Sequence, residues 1–248
     1  MRVPYDNIAA PLFPTKLPWV NTAGPVSTIQ QGRPMLVEFW DFCRPNSIRT
    51  LPYLKAWHER YAEAGLRVAG VHCPGFDASR DEQAVRDAVA RLGIEYPVLI
   101  DSELVLWQEY ENQGWPARYL FDGRGRLFDY HYGEGAYEET ELAIQELLEV
   151  QREPLAALRP EDEPGALLSP QTADQEGAYS GPYEAGGVWG VFDGAGSVTV
   201  NGEDVQIPAA GAFLLVEHPC HTSTVLELAP GPGISCLATC FSPGLERR

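Results

Sequence analysis

VEFWDFCRPNSIRTLPYLKAW, residues 37–57, carries the reading of the fold. Its first residues close the run MLVEFW (35–40), a short and nearly continuous apolar stretch of the kind that forms a buried parallel strand. From Ser47 onward Ile48, Leu51, Leu54, Trp57 and Tyr61 recur at helical spacing, and Gly65 is a natural stop. Between strand and helix stand Cys43 and Pro45. Strand, cysteine, proline, helix is the layout of a thiol redox site, yet the second cysteine of a C-x-x-C pair is missing.

Outward from this stretch, strand and helix signals alternate. LRVAGVHC (66–73) is the next strand. SRDEQAVRDAVARLG (79–93) opens on Ser79 and Glu82, a capping-box spacing, and closes on Gly93. YPVLID (96–101) is a strand and SELVLWQEYEN (102–112) a helix. ARYLFD and RLFDYHY are joined by the turn Gly123-Arg124-Gly125, a hairpin signal. YEETELAIQELLEV (137–150) is an amphipathic helix. The order β-α-β-α-β-β-α predicts an α/β layer structure around a mixed sheet.

Composition changes after residue 150. Residues 151–176 are rich in Pro, Gly and acids and are expected to be a linker. Beyond it only strand signals occur: GVWGVF, GSVTVN, DVQI, GAFLLVEH, TSTVLELA and GISCLATCF, with Asn201-Gly202 a strong hairpin turn. Such closely spaced strands predict a β-sandwich or jelly roll over 177–248.

Eighteen Lys and Arg against 35 Asp and Glu give a net charge of −17, which argues against nucleic acid or an anionic membrane as partner. No run approaches the roughly 18 apolar residues of a membrane helix. The opening MRVPYDNIAAPLFPTKLPWVNT lacks the apolar core of a signal peptide, so a soluble, cytoplasmic protein is expected. Five scattered cysteines do not form a disulfide framework. No cofactor is expected.

APLF (10–13), VEFW (37–40), RTLPYLKAW (49–57), VAGVH (68–72), YPVLID (96–101), WPARYLFD (115–122) and GEGAYEETELAIQELL (133–148) resemble the thioredoxin superfamily, specifically the TlpA-like group and the soluble portion of DipZ-type proteins. The resemblance implies an α/β thioredoxin-like fold in residues 1–150 and a jelly-roll, carbohydrate-binding-module-like domain from GVWGVFDGAGSVTVNG onward. It also implies kinship with thiol–disulfide oxidoreductases and antioxidant proteins.

The same resemblance locates the site. Counting four residues on from Trp40 and five back from Pro52, the family's two cysteines fall at positions 44 and 47, where this chain has Arg44 and Ser47. Cys43 stands one residue early. It is open to three readings: a packing residue, a displaced single-thiol nucleophile at a helix N-terminus with Arg44 beside it, or a partner for Cys73 should their Cα atoms come within about 6 Å. An unperturbed thiol is only about 3% thiolate at pH 7, so the second reading needs a depressed pKa. Pro116 matches the family's cis-proline, and Trp115, Trp40, Asn46 and Cys73 complete the expected groove. Glu38 occupies the place of the buried proton-accepting acid, a costly residue in an apolar strand unless hydrogen-bonded. Arg44 suits an anion.

In the second half His218, Cys220, His221, Cys236 and Cys240 are considered as metal ligands. Strand alternation would put Cys236 and Cys240 on one face about 13 Å apart, too far to share a tetrahedral ion, and no metal is expected. Trp189 and Tyr183 are candidate sugar-stacking rings. Two functions are open: a single-thiol redox protein acting on a protein thiol, a disulfide or a small molecule, or a non-catalytic binding protein using the groove and the β domain.

Overall fold

Strand β2 (Met35–Trp40) is buried at all six positions, as a nearly continuous apolar run between two neighbours requires. In chain order the first half comprises β1 (Trp19–Val20), β2, α1 (Pro45–Tyr61), β3 (Arg67–His72), α2 (Glu82–Arg91), β4 (Val98–Ile100), α3 (Val105–Glu109), β5 (Ala117–Phe121), β6 (Leu127–Tyr132) and α4 (Tyr137–Leu148). The computed structural model describes residues 8–24, 26–27 and 32–246. The reading of the first residues as lacking a leader falls partly on 1–7, outside the described residues.

The sheet has the order β1-β4-β3-β2-β5-β6. β3 runs parallel to β2 and to β4, whereas β5 and β6 are antiparallel additions on the other side. This is the expected mixed sheet flanked by helices. Met35, Val37 and Phe39 point into one core with Val71, Leu99, Leu106, Tyr119 and Phe121. The alternate residue Glu38 pairs with Arg118 on β5, on the face where Arg118 meets Trp57 of α1 and Thr140 of α4.

Local chemistry sets the helix ends. Gly65, at φ 113°, donates its amide to Tyr61 and Ala62 carbonyls and stops the turn that follows α1. The residue that caps α2 is Asp81, which accepts the Ala84 amide at 2.8 Å. Ser79 instead ends a short 3₁₀ turn and donates its hydroxyl to Phe76 O. The helix expected over 102–112 shrinks to Val105–Glu109, because Leu104 takes a left-handed conformation at φ 59°. Asp101 collects the amides of Val105 (2.8 Å) and Trp107 (2.9 Å).

The chain divides into a first unit ending at Leu158 and a second running from Arg159 that takes in Cys43–Pro45. Residues 151–158 pack on the first unit's helices. Arg152 N–H donates to Gln145 Oε1, Leu155 N–H to Glu141 Oε2 and Leu158 N–H to Tyr53 Oη, at 2.8–2.9 Å.

The second unit contains β7 (Leu168–Ser169), β8 (Gln175–Glu176), β9 (Gly181–Asp193), β10 (Gly196–Val200), β11 (Glu203–Ile207), β12 (Gly211–Leu226), β13 (Leu228–Pro230), β14 (Ser235–Ser242) and β15 (Gly244–Leu245). The sheets β12-β9-β14-β8 and β11-β10-β13 are antiparallel. They share a core of Tyr183, Val188, Phe192, Val198, Ile207 and Phe241, an all-β sandwich. Asn201 and Gly202, both at positive φ, turn β10 into β11. GAFLLVEH and TSTVLELA, separate strands by sequence, join in β12, with His218–His221 inside a register shift between Glu217 and Thr222. A second shift between Cys236 and Ala238 interrupts the alternation that would have put Cys236 and Cys240 on one face.

Candidate functional site

The carboxyl ends of β2, β3 and β4 meet at one edge of the first sheet. Cys73 N–H donates to Trp40 O (3.0 Å) and Asp101 N–H to His72 O (2.9 Å), lacing the three strand ends together. Beside them the Trp115–Pro116 peptide is cis. Trp115 donates its indole N–H to Cys73 O at 2.9 Å and stacks on Trp107 with centroids 4.2 Å apart. Of the groove residues expected from the sequence, Trp40, Cys73, Trp115 and Pro116 are therefore joined in one bonded set. Asn46 is exposed on the first turn of α1, where its carbonyl accepts the Thr50 hydroxyl.

Ser47 is buried, and its Oγ accepts the Asp41 amide at 3.2 Å. The Ser47 side chain, at the position where the resemblance puts a second cysteine, is thus committed to holding the loop that leads from β2 into α1. Asp41 in turn accepts the Gly75 amide through Oδ2 (2.7 Å), with its Oδ1 3.5 Å from His72 Nε2. His72 is buried between Phe42, stacked at 5.2 Å, and Trp40, edge-on at 5.1 Å. Cys43 is a buried thiol and Arg44 is half-buried.

The carboxylate that touches a thiol here is Asp101, not Glu38. Cys73 donates S–H to Asp101 Oδ2 at 3.5 Å. Burial, then the negative charges of Asp101 and Asp41, hold this thiol well above its ordinary pKa, so it stays protonated at neutral pH. Glu38 accepts Nε–H of the buried Arg118 at 3.1 Å, while Arg118 also donates to Thr140 Oγ1 (2.9 Å) and lies over the rings of Trp57 and Tyr137. Burial nevertheless raises the Glu38 pKa, with Arg118 pulling the other way. Glu38 Oε1 has no hydrogen-bond partner among the described residues, which is why one charged contact does not outweigh desolvation.

Asp41, His72, Asp101, Trp107 and Arg118 were not singled out from the sequence. Asp101 carried a usable signal, an Asp at the end of a strand directly before a helix pattern. Arg118 carried none, because an arginine inside an apolar strand finds its carboxylate only once β2 and β5 are in register.

In the second unit, Tyr183 and Trp189 are 2% and 7% exposed, so neither ring is available to stack on a sugar. His218 Nε2 lies 2.8 Å from Tyr183 Oη, and His221 Nε2 lies 3.8 Å from Glu184 Oε2. Burial pushes the Cys240 thiol up to about 12, with Asp174 adding to it. Among the described residues no group of three or more His, Cys, Asp or Glu converges as a metal site. Nor is any helix among them long and apolar enough to cross a membrane.

A mixed sheet of this order with a cis-proline beside its strand ends is a thioredoxin-like fold. No protein-family model matches the chain. It is 32% identical over 197 residues to the DipZ proteins of Mycobacterium bovis and Mycobacterium tuberculosis, covering 74% of this chain but 28% of theirs. The thiol-disulfide oxidoreductase YkuV of Bacillus subtilis is 25% identical over 130 residues, covering 52% of this chain and 87% of that one. A thiol-disulfide isomerase from Corynebacterium glutamicum superposes with a TM-score of 0.50 at 24% identity, over 59% of this chain and 100% of its own.

Proposed function

We propose that the first unit is a thioredoxin-like binding module that has kept the groove of a thiol–disulfide oxidoreductase without dithiol exchange. The observation that carries this reading is Ser47. It stands where the resemblance puts the second cysteine, and its Oγ is spent on the Asp41 amide inside the protein. A dithiol exchanger needs a second thiol to resolve the mixed disulfide, and Arg44 and Ser47 supply none. Two further observations support it. The Cys73 thiol is held protonated by burial and Asp101, and Glu38 is engaged with Arg118 rather than with a thiol. The Trp115–Trp107 stack beside the cis peptide gives the groove an apolar, aromatic wall suited to a protein segment or small molecule.

Turnover of an insulin disulfide in the presence of dithiothreitol tests it. The native chain is expected to run at the reagent's own rate, and the double variant Arg44→Cys with Ser47→Cys to exceed it, since the rest of the site is in place. Catalysis by the native chain, abolished by Cys43→Ser, would sink the binding reading. It would favour the second one, in which Cys43 is a single-thiol nucleophile. That reading rests on the position of Cys43 two residues before the start of α1, where helix amides and dipole favour a thiolate. Alkylation rate against pH separates the two: a Cys43 that titrates below about pH 7 is a redox thiol, one that titrates above about 8.5 is not.

A further inference from the structure

On the sheet face opposite Glu38, β5 and β6 present Tyr119, Tyr130 and Tyr132 from adjacent strands, with Tyr119 paired to Tyr130 in register. Together with Tyr110 at the end of α3 they line a cleft of about 480 Å³, within the size range of small-molecule sites. The rings are set at steep angles to one another: Tyr110–Tyr119 at 5.0 Å and 70°, Tyr119–Tyr132 at 6.0 Å and 83°, Tyr130–Tyr132 at 5.5 Å and 63°. Tyr110 and Tyr119 are buried and form the floor of the cleft, whereas Tyr130 is half-buried and Tyr132 exposed, so the rings open to a ligand are those of Tyr130 and Tyr132. Tyr119 Oη lies 2.6 Å from Asn112 Oδ1 and 3.2 Å from Tyr132 Oη, which fixes two of the rings. Among the described residues the only charged groups lining the cleft are Glu109 and Glu111, both exposed.

We propose that this cleft binds a small organic cation of the alkylammonium type. Ring faces carry the negative end of the aromatic quadrupole and attract an ammonium within about 6 Å of the centroid. Two carboxylates with no Lys, Arg or His among the described lining residues, on a chain of net charge −17, favour a cation and disfavour an anion. The accessible rings of Tyr130 and Tyr132, set at 63° to each other, let a compact cation touch both, which a planar neutral ligand would not need. None of these residues belongs to the groove at the strand ends, so the inference is independent of what that groove does.

The probe is choline, titrated calorimetrically into the full chain beside the neutral alcohol in which carbon replaces the choline nitrogen. Saturable choline binding that shifts the ring resonances of Tyr130 and Tyr132 is expected, with the neutral alcohol weaker by on the order of tenfold. Tyr132→Leu, and separately Glu109→Gln with Glu111→Gln, should each weaken choline severalfold. The glutamate pair is exposed, so that variant keeps its fold even if the tyrosine variant does not. Absence of saturable choline binding, equal affinity for the neutral alcohol, or unchanged affinity in the glutamate variant overturns the proposal.

Discussion

At the scale of single residues, the first unit keeps its charges where they have been matched. Glu141 is buried between α1 and α4, with Oε2 accepting Trp57 Nε1 (3.1 Å) and Oε1 accepting the Tyr61 hydroxyl (2.6 Å). Burial together with that carboxylate pushes the Tyr61 hydroxyl up to about 12. Glu38 is the less complete case. Burial raises its pKa from the ordinary 4.5 against the pull of Arg118. A carboxyl with a raised folded pKa binds its proton more tightly in the folded state. Its stabilising contribution is whole below the unfolded value and is lost as pH rises through the folded one. Glu38→Gln has no such titration. Unfolding by urea across the acid range should therefore show the native chain losing stability relative to the Gln variant as pH climbs above 4.5. The opposite slope would mean that Arg118 outweighs burial.

At the scale of elements, the long strands of the first sheet are legible in the sequence, whereas the helix ends and the two-residue strands are not. MLVEFW declares itself because a strand buried on both faces needs a nearly continuous apolar run, and the Gly202 turn because an Asn-Gly pair takes two positive φ values cheaply. Helix α1 followed from its apolar spacing, and the cis-proline from its match to the family. Helix α3 was overestimated: its apolar pattern runs on, but Leu104 turns left-handed, and no spacing rule registers a single backbone dihedral. The α2 cap lies two residues beyond the expected Ser79, since Ser79 and Asp81 are both capping types and only the tertiary position of the 3₁₀ turn selects between them. From the sequence the candidate site is expected around the β2–α1 turn, with Arg44 and Ser47 where the resemblance puts two cysteines. Its actual bonding, from Ser47 to Asp41 and from Cys73 to Asp101, depends on loops that the pattern does not constrain. The capping correction has a measurable consequence. Asp81→Ala removes the only side-chain cap of α2 among the described residues and should cost about 1 kcal/mol in a thermal or urea melt. A change well under half of that would mean the α2 amides find water equally well.

At the scale of the whole chain, the change in composition at residue 151 and the end of the first packed unit are different places. Pro, Gly and acidic residues accumulate from there because the segment carries no strand or α-helix until Leu168, only a 3₁₀ turn at Pro160–Asp162, yet its first eight residues are bonded to the first unit's helices. The Arg152 amide satisfies Gln145, the Leu155 amide supplies Glu141 Oε2 with its second donor, and the Leu158 amide is taken by Tyr53. Removing them strips one donor from a carboxylate that is only 1% exposed, and a buried acceptor left short of a partner costs more than an exposed one. A fragment ending at Leu158 is therefore expected to be more stable than one ending at Val150 by about 2–4 kcal/mol, taking three bonds at roughly 1 kcal/mol each with the charged acceptor somewhat higher. Parallel urea titrations of the two fragments measure it. Equal midpoints would show that residues 151–158 follow the first unit without stabilising it, and that the compositional boundary is the thermodynamic one.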